Sequence, residues 1–415
     1  MYAGRRFNVP LSTVRVISRT GVSRIGRDLR NLSSLRLDWG LPKKTDVLIL
    51  FTDTAKQLSS YFPDRRLTVL DLESPRRNFW VLLLSIASGS IRIRRYLSTY
   101  ISWIKPDLVL SAQDNFEPLW FVRPKHRTVI ALVQNGLRVE DPISLPVPRK
   151  SLAHRPKVDF YFCFNSSIGD FVSKSLDATY VSIGSFRCNH EPRISISPSE
   201  KISYISTFRT DIPLTSLIST SNHRGSVTYG SILDRRIPIL IEVATFCDEN
   251  GLRLELLGKD LDHNAEESFY RERLGQFQFS YIPRTAGSFQ YLQCDTAKIV
   301  VSTGSTLGLE SLARGNRTAV FDPLPLILGN LSLQFGWPVL IDPEGPFWST
   351  QASPSRIRQI LGSLLSASDE QWKQTLDTYR DALPYYDPAN TVFVNQLSEY
   401  GARMIPSDKT PDILR

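Results

Sequence analysis

Short apolar runs alternate with amphipathic stretches along most of this chain. Residues 47–51, 67–70, 108–110, 129–133 and 160–164 are compact and rich in Val, Ile, Leu and Phe, the signature of buried strands. Between them, residues 76–104 carry helical spacing: Ile93, Leu97, Ile101 and Ile104 recur every three or four positions until Lys105-Pro106-Asp107 closes the run. A Ser/Pro-rich stretch, 191–200, contains Pro192, Ser195, Ser197, Pro198 and Ser199 and reads as a hinge. Beyond it the alternation resumes, with strands expected at 202–205, 252–257, 277–279, 299–301 and 318–321. A helix is expected over 232–249, with Pro238 in its first turns or interrupting it. Further helices are expected over 355–366, 369–383 and 391–402. Residues 329–350, rich in Gly, Pro and aromatics, read as a loop in which Trp337, Phe347 and Trp348 either line a cleft or pack on the surface.

Strands that alternate with helices predict an α/β fold with mainly parallel sheets covered on both faces. The boundaries follow: an arm at 1–40, a first α/β domain at 41–190, a linker at 191–200, a second α/β domain at 201–384, and a segment at 385–415 that braces the two. No tandem repeat underlies the halves; only the order of elements recurs.

Composition narrows this picture. The chain has 415 residues, 41 % of them hydrophobic, enough for two cores. Its longest apolar run, around residues 80–84, is too short for the roughly 20 residues that span a bilayer, and no secretory signal stands at its start. Cys163, Cys188, Cys247 and Cys294 are scattered, which suggests neither a disulfide framework nor a metal site and fits a cytoplasmic protein. The net charge of +9 is partly local. Arg5, Arg6, Arg15, Arg19, Arg24, Arg27, Arg30 and Arg36 face only Asp28 and Asp38 within residues 1–40. Such an arm suits an anionic membrane surface or acceptor, with peripheral association at the inner face of the membrane as the expectation. No aromatic or recognition-helix pattern points to a specific nucleic acid.

The candidate chemistry lies where strands end. Ser302-Thr303-Gly304-Ser305-Thr306 follows an apolar strand and opens a helix, so backbone amides and hydroxyls converge where the helix end is positive. Glu310, four positions past Thr306, can share that helix face and accept from ribose hydroxyls. Lys259 and Arg284 follow other strands and are candidate phosphate contacts, although loop cations are common. In the first half, Gln113-Asp114-Asn115-Phe116-Glu117 follows a strand. Asp114 or Glu117 could act as a general base with the other orienting it, or they could be a helix cap and a solvated acid. Gln134-Asn135-Gly136-Leu137-Arg138 follows the next strand and is a candidate acceptor loop or a plain turn. His126 is a weaker candidate as a proton shuttle. No phosphate-binding Gly-Lys-Ser/Thr loop, hydride-transfer fingerprint or metal set is present.

These segments, with Pro346-Phe347-Trp348, resemble bacterial surface-carbohydrate (polysaccharide and lipopolysaccharide) biosynthesis glycosyltransferases of the GT-B fold, over most of residues 45–350. The resemblance implies two Rossmann-like domains with parallel sheets facing across a cleft. The N-terminal one would bind the acceptor through Gln113, Asn115, Gln134, Asn135, Gly136 and Arg138. The C-terminal one would bind a nucleotide-sugar donor through Lys259, Arg284, Ser302, Thr303, Gly304, Ser305, Thr306 and Glu310. Asp114 leads as catalytic acid/base, with Glu117 as competitor. The family includes enzymes using CMP-linked acidic sugars such as Kdo and enzymes using diphosphate-linked sugars. No tightly bound cofactor or metal is implied; the nucleotide-sugar is a substrate and a lipid-linked glycan the acceptor. A polyol-phosphate transferase, a nucleotide-sugar epimerase and a non-catalytic surface-assembly protein remain the alternatives.

Overall fold

A computed structural model describes residues 15–16, 36–88, 92–124, 126–138, 156–193, 198–219, 227–285 and 290–405. Most of the basic arm, and residues 194–197 of the expected linker, lie outside the described residues.

The first half builds a six-stranded sheet from β1 (Val47–Leu50), β2 (Leu67–Leu70), β3 (Leu108–Ser111), β4 (Val129–Val133), β5 (Lys157–Cys163) and β6 (Asp177–Ser182). All neighbours pair in parallel, in the order β2-β1-β3-β4-β5-β6. The second half builds another from β7 (Ser199–Ile205), β8 (Arg253–Leu257), β9 (Ser280–Ile282), β10 (Ala297–Ser302), β11 (Thr318–Phe321) and β12 (Trp348–Ser349). Its order is β9-β8-β7-β10-β11-β12, again all parallel. Every residue of β1, β3 and β11 is buried, which is why these strands read as unbroken apolar runs: helices cover both faces.

Strand order decides where a ligand can sit. In an open parallel sheet the crevice lies at the carboxyl edge where the order reverses, because the connections on either side of that point leave on opposite faces. The reversal falls between β1 and β3 in the first sheet and between β7 and β10 in the second.

Several expected elements differ. The strand expected at 277–279 is Ser280–Ile282 instead, because Phe279 packs its ring under the Arg271 guanidinium, 4.7 Å away, in the turn before it. The helical run from 76 splits into a strand, Arg76–Asn78, and helices Phe79–Ala87 and Ile93–Ile104. β6 carries no unbroken apolar run, being a polar-alternating edge strand. Pro238 lies inside one continuous helix, Tyr229–Glu249, rather than in its first turns. Phe347 and Trp348 are core, 0 and 2 % exposed, and Trp348 begins the edge strand β12. Only Trp337 of that aromatic set reaches a cleft.

The halves are held together at the linker. Arg314, its side chain fully buried, pairs through two nitrogens with Asp295 at 2.9 and 2.5 Å. The same guanidinium donates to the carbonyls of Cys188 at 3.1 Å, Glu191 at 2.9 Å and Pro192 at 3.0 Å. The chain end then returns to the first domain. Phe393, Val394, Leu397 and Ala402 join the core on one face of the first sheet, and Asn390 donates to Tyr61 Oη and Phe186 O, both at 2.9 Å. Replacing Arg314 with Met leaves the buried Asp295 carboxylate without its counter-charge, holding the Asn316 bond at 2.9 Å, and takes the guanidinium from three carbonyls. The expected outcome is a loss of about 3–5 kcal/mol in urea unfolding.

Candidate functional site

The carboxyl edges of the two sheets meet across a cavity of about 380 Å³. At the second sheet's switch point, β10 runs through Thr303 and Gly304 into the helix Thr306–Ala313. Gly304 sits at φ +90°, and a Cβ there would stand 2.3 Å from Asp322 Oδ2, so this turn needs glycine. A Cβ on Gly308 would stand 2.3 Å from the Ser302 side chain; the first turn of the helix therefore presses directly on the strand end. Ser302 Oγ accepts from the Ser305 amide at 3.2 Å. No side chain caps this helix and no acid occupies its first turn, so its positive end is turned toward the cleft.

The loop after β8 is pinned by a residue that sequence patterning missed. Glu266, fully buried, accepts from the amides of Lys259 at 3.0 Å and Asp260 at 2.8 Å, from Tyr281 Oη at 2.8 Å, and from Ser206 Oγ. Burial pushes its carboxyl above the usual range. These bonds set Lys259 on the cleft wall, and Arg284 Nη1 donates to the Lys259 carbonyl at 3.2 Å. Burial, reinforced by Arg209, Arg236 and Arg284, pulls the Lys259 ammonium down to about 8. Arg209, paired with Asp211 at 2.8 Å, also lines this wall, and Arg236 stands behind Gly304, 3.5 Å from Asp322; Arg187 lines the cleft from the first domain, donating to Gln57 at 3.1 Å. One wall is thus a helix end ringed by cations, which suits an anion of more than one charge.

The opposite wall is the switch point of the first sheet. Asp53 follows β1, Gln113 follows β3, and Glu73 comes from the loop after β2. Gln113 Nε2 donates to Glu73 Oε1 at 2.8 Å, and Lys56 lies 3.3 Å from Asp53 on the exposed surface. Trp337 closes one side, with its ring 4.3 Å from Phe171 of the first domain.

With this geometry in view, comparison with known proteins identifies the chain's relatives. The sequence profile of a family described as "putative O-antigen biosynthesis protein" matches residues 131–401. The chain belongs to this O-antigen biosynthesis family. No protein of curated function matches it by sequence. Among solved structures, it is similar to one titled as a putative UDP-N-acetylglucosamine 2-epimerase from Listeria monocytogenes. That match has 12% identity and a TM-score of 0.50, covering 88% of this chain and 100% of the other. The S. aureus MnaA–UDP co-structure matches with 13% identity, 86% and 96% coverage, and TM-score 0.49. The wall teichoic acid polymerase TagF matches with 12% identity, 90% and 92% coverage, and TM-score 0.46. At 12% identity the likeness to the Listeria structure speaks to fold alone, and the two parallel sheets facing across a cleft are the GT-B arrangement of Rossmann-like domains.

In this O-antigen family member the expected donor residues converge. Lys259, Arg284, Ser302, Gly304, Ser305, Thr306 and Glu310 all line the cleft. Thr303 does not; it is fully buried beneath the turn. Glu310 is partly spoken for: Ser185 Oγ donates to one oxygen at 2.5 Å and Tyr291 Oη to the other at 3.0 Å. Burial raises its carboxyl.

The first-domain residues divide. Gln113, Asn135, Gly136 and Arg138 line the cleft, whereas Asn115 and Gln134 do not. Gln134 is a buried brace, donating to Gly136 O and accepting from the Phe164 amide, both at 2.8 Å. The general-base expectation for Asp114 needs correction. Its carboxylate is 1 % exposed and fork-paired with the Arg138 guanidinium, and Tyr161 Oη donates to it at 2.5 Å. A carboxylate so saturated holds two loops together and is not open to a substrate proton. Arg138, fully buried and committed to this pair, is likewise no free phosphate clamp. Glu117 is exposed at the start of the helix Glu117–Trp120, off the cleft, and His126 is exposed beyond the opposite end of its sheet, before β4. Among the described residues no group of His, Cys, Asp and Glu could hold a metal ion.

Asp114→Asn is expected to lower unfolding stability by about 3–5 kcal/mol, read by urea denaturation, because it leaves a buried guanidinium uncompensated. A second expectation concerns pH. A bound polyanion favours the charged Lys259, so above about 8 the complex holds more protons than the free protein, and affinity falls as pH rises. Pyrophosphate should bind about tenfold more weakly at about pH 9 than at about pH 7 by calorimetry, with Lys259→Met removing that step.

Proposed function

We propose that this chain is a glycosyltransferase that moves a sugar from a nucleotide-activated donor to a hydroxyl of a surface-glycan acceptor. One observation carries the reading. A helix end with cations about it and the Asp53 carboxylate face each other across a single cleft, each at the switch point of its own sheet, with Glu73 on the Asp53 wall from the loop after β2. The helix end, Lys259 and Arg284 would bind the donor phosphates. Glu310, with its remaining lone pairs, would accept from the ribose. The acceptor would enter along Asp53, Glu73, Gln113 and Asn135.

The chemistry follows from that division. The acceptor oxygen forms a bond to the anomeric carbon while the bond from that carbon to the phosphate oxygen breaks. Asp53 takes the hydroxyl proton, and the nucleotide leaves with an added negative charge. Fixed amides and cations stabilise that charge without reorganising. Asp53 is the base in this scheme: its contact with Lys56 is long, 3.3 Å, and exposed, whereas Glu73 accepts from Gln113 at 2.8 Å, an arrangement suited to holding acceptor hydroxyls. The number of cations around the helix end favours a diphosphate leaving group, as in UDP-sugars, over the single phosphate of a CMP-linked acidic sugar such as Kdo. No tightly bound cofactor enters this scheme.

The test is mass analysis of reactions with UDP- and CMP-sugars and fractionated lipid-linked acceptors. An acceptor heavier by one sugar, made from a UDP donor, is the expected result. Asp53→Asn should lower kcat by about 10²–10⁴-fold with nucleotide affinity nearly unchanged. Full turnover in that variant would remove Asp53 as base. Conversion of the donor sugar without any acceptor would instead identify an epimerase.

A further inference from the structure

The helix Phe79–Ala87 reads Phe-Trp-Val-Leu-Leu-Leu-Ser-Ile-Ala. A helix apolar on all sides is ordinarily enclosed on all sides. Here only Val81 and Ser85 are buried, while Leu83, Leu84 and Ile86 are 46, 47 and 51 % exposed. The helix is firmly seated. Asn78 caps it by accepting from the Val81 amide at 3.2 Å. The Asn78 side chain also donates to Gly40 O at 2.6 Å, and its backbone amide donates to Tyr96 Oη at 2.9 Å. Trp39, 62 % exposed, stacks on Phe79 at 4.2 Å between ring centroids. Its carbonyl accepts from Trp80 Nε1 at 3.0 Å. The strand Arg36–Asp38 pairs with Arg76–Asn78, so two distant segments present one apolar face bearing two tryptophans.

The surroundings of that face are basic. Lys43 and Lys44 follow exposed Leu41, Arg36 and Arg76 lie on the paired strands, and Arg95 lies on the Ile93–Ile104 helix packed against Phe79–Ala87. Of the acids in these segments, Asp38 accepts from the Gly40 amide at 3.0 Å, Asp71 from Thr52 Oγ1 at 2.9 Å and Glu73 from Gln113 Nε2 at 2.8 Å. Tryptophan rings favour the boundary between headgroups and acyl chains, and a rim of cations favours anionic headgroups. At about 14 Å long the helix cannot cross the roughly 30 Å of hydrocarbon.

We propose that this face docks on an anionic lipid bilayer, with the Phe79–Ala87 helix lying in the plane of the interface. The segment leading into it carries Glu73 on the cleft wall. The inference rests on the exposed helix and its charge rim, and stands whether or not the chain transfers a sugar.

The test is co-sedimentation of the full chain with vesicles of phosphatidylglycerol and phosphatidylethanolamine, against phosphatidylcholine alone. The chain should pellet with the anionic vesicles, and Leu83→Glu/Leu84→Glu should cut the bound fraction by about tenfold or more. Both side chains are exposed, so an unchanged thermal melt by circular dichroism shows that the variant is folded. Vesicles brominated on the acyl chains should quench tryptophan emission, and Trp39→Phe/Trp80→Phe should remove most of that quenching, a readout that charge attraction through residues 1–35 does not move. Sedimentation of the glutamate variant like wild type, absence of quenching, or failure of the wild type to pellet would each overturn the proposal. So would a wild-type dimer that becomes monomeric in the glutamate variant without vesicle binding, which would assign the face to a second copy of the chain.

Discussion

A buried guanidinium anchors the relation between the two halves of this protein, with the Ser185–Glu310 bond and the Phe171–Trp337 contact across the same interface. Arg314 answers the Asp295 carboxylate, the Cys188 carbonyl of the first domain and two linker carbonyls at once. Buried backbone carbonyls without partners are costly, so the linker has little freedom to leave this position. The linker fixes which edge of the first sheet faces the second. The chain end reinforces it by inserting Phe393 and Leu397 into the first domain's core. The cleft, its depth and its two unlike walls all follow from that constraint.

Within the cleft the charges are organised by groups that never touch solvent. Glu266 spends its carboxylate on the amides of the Lys259 loop, and Asp114 spends its own on Arg138 and Tyr161. Both are acids at strand ends, where a catalytic group is naturally sought, and both act as fasteners. What they fasten is the backbone that places Lys259 on one side and the Asn135–Gly136 turn on the other. The result is asymmetric: a helix end with Lys259 and Arg284 on the second domain, and Asp53 and Glu73, each in contact with a neighbouring side chain, on the first.

Much of the fold was legible in the pattern of residues. Fully buried strands such as β1, β3 and β11 appear as apolar runs because both their faces are covered. Edge strands were harder to read: β6 alternates with polar residues, and β12 hides in an aromatic loop because an edge strand needs only a few ladder bonds. The strand-to-helix turn at Ser302–Thr306 was also legible, since glycine and small hydroxyl residues are the types such a turn requires. Asp53 and Glu73 were not. A lone acid after a strand looks like any solvated acid until strand order shows that β1 flanks the switch point.

The sequence by itself determined the two-part α/β alternation, the order of elements and the chemistry available at each strand end, because these depend on local periodicity and on residue type. Tertiary structure alone decided which acids are free and which are consumed, since pairing of Asp114 with Arg138, or of Glu310 with Ser185 and Tyr291, joins positions that no spacing rule relates. It also decided that the Phe79–Ala87 helix stays open to solvent. The pattern of an all-apolar helix states that it must be covered, and only its place in the fold shows that the described residues do not do the covering.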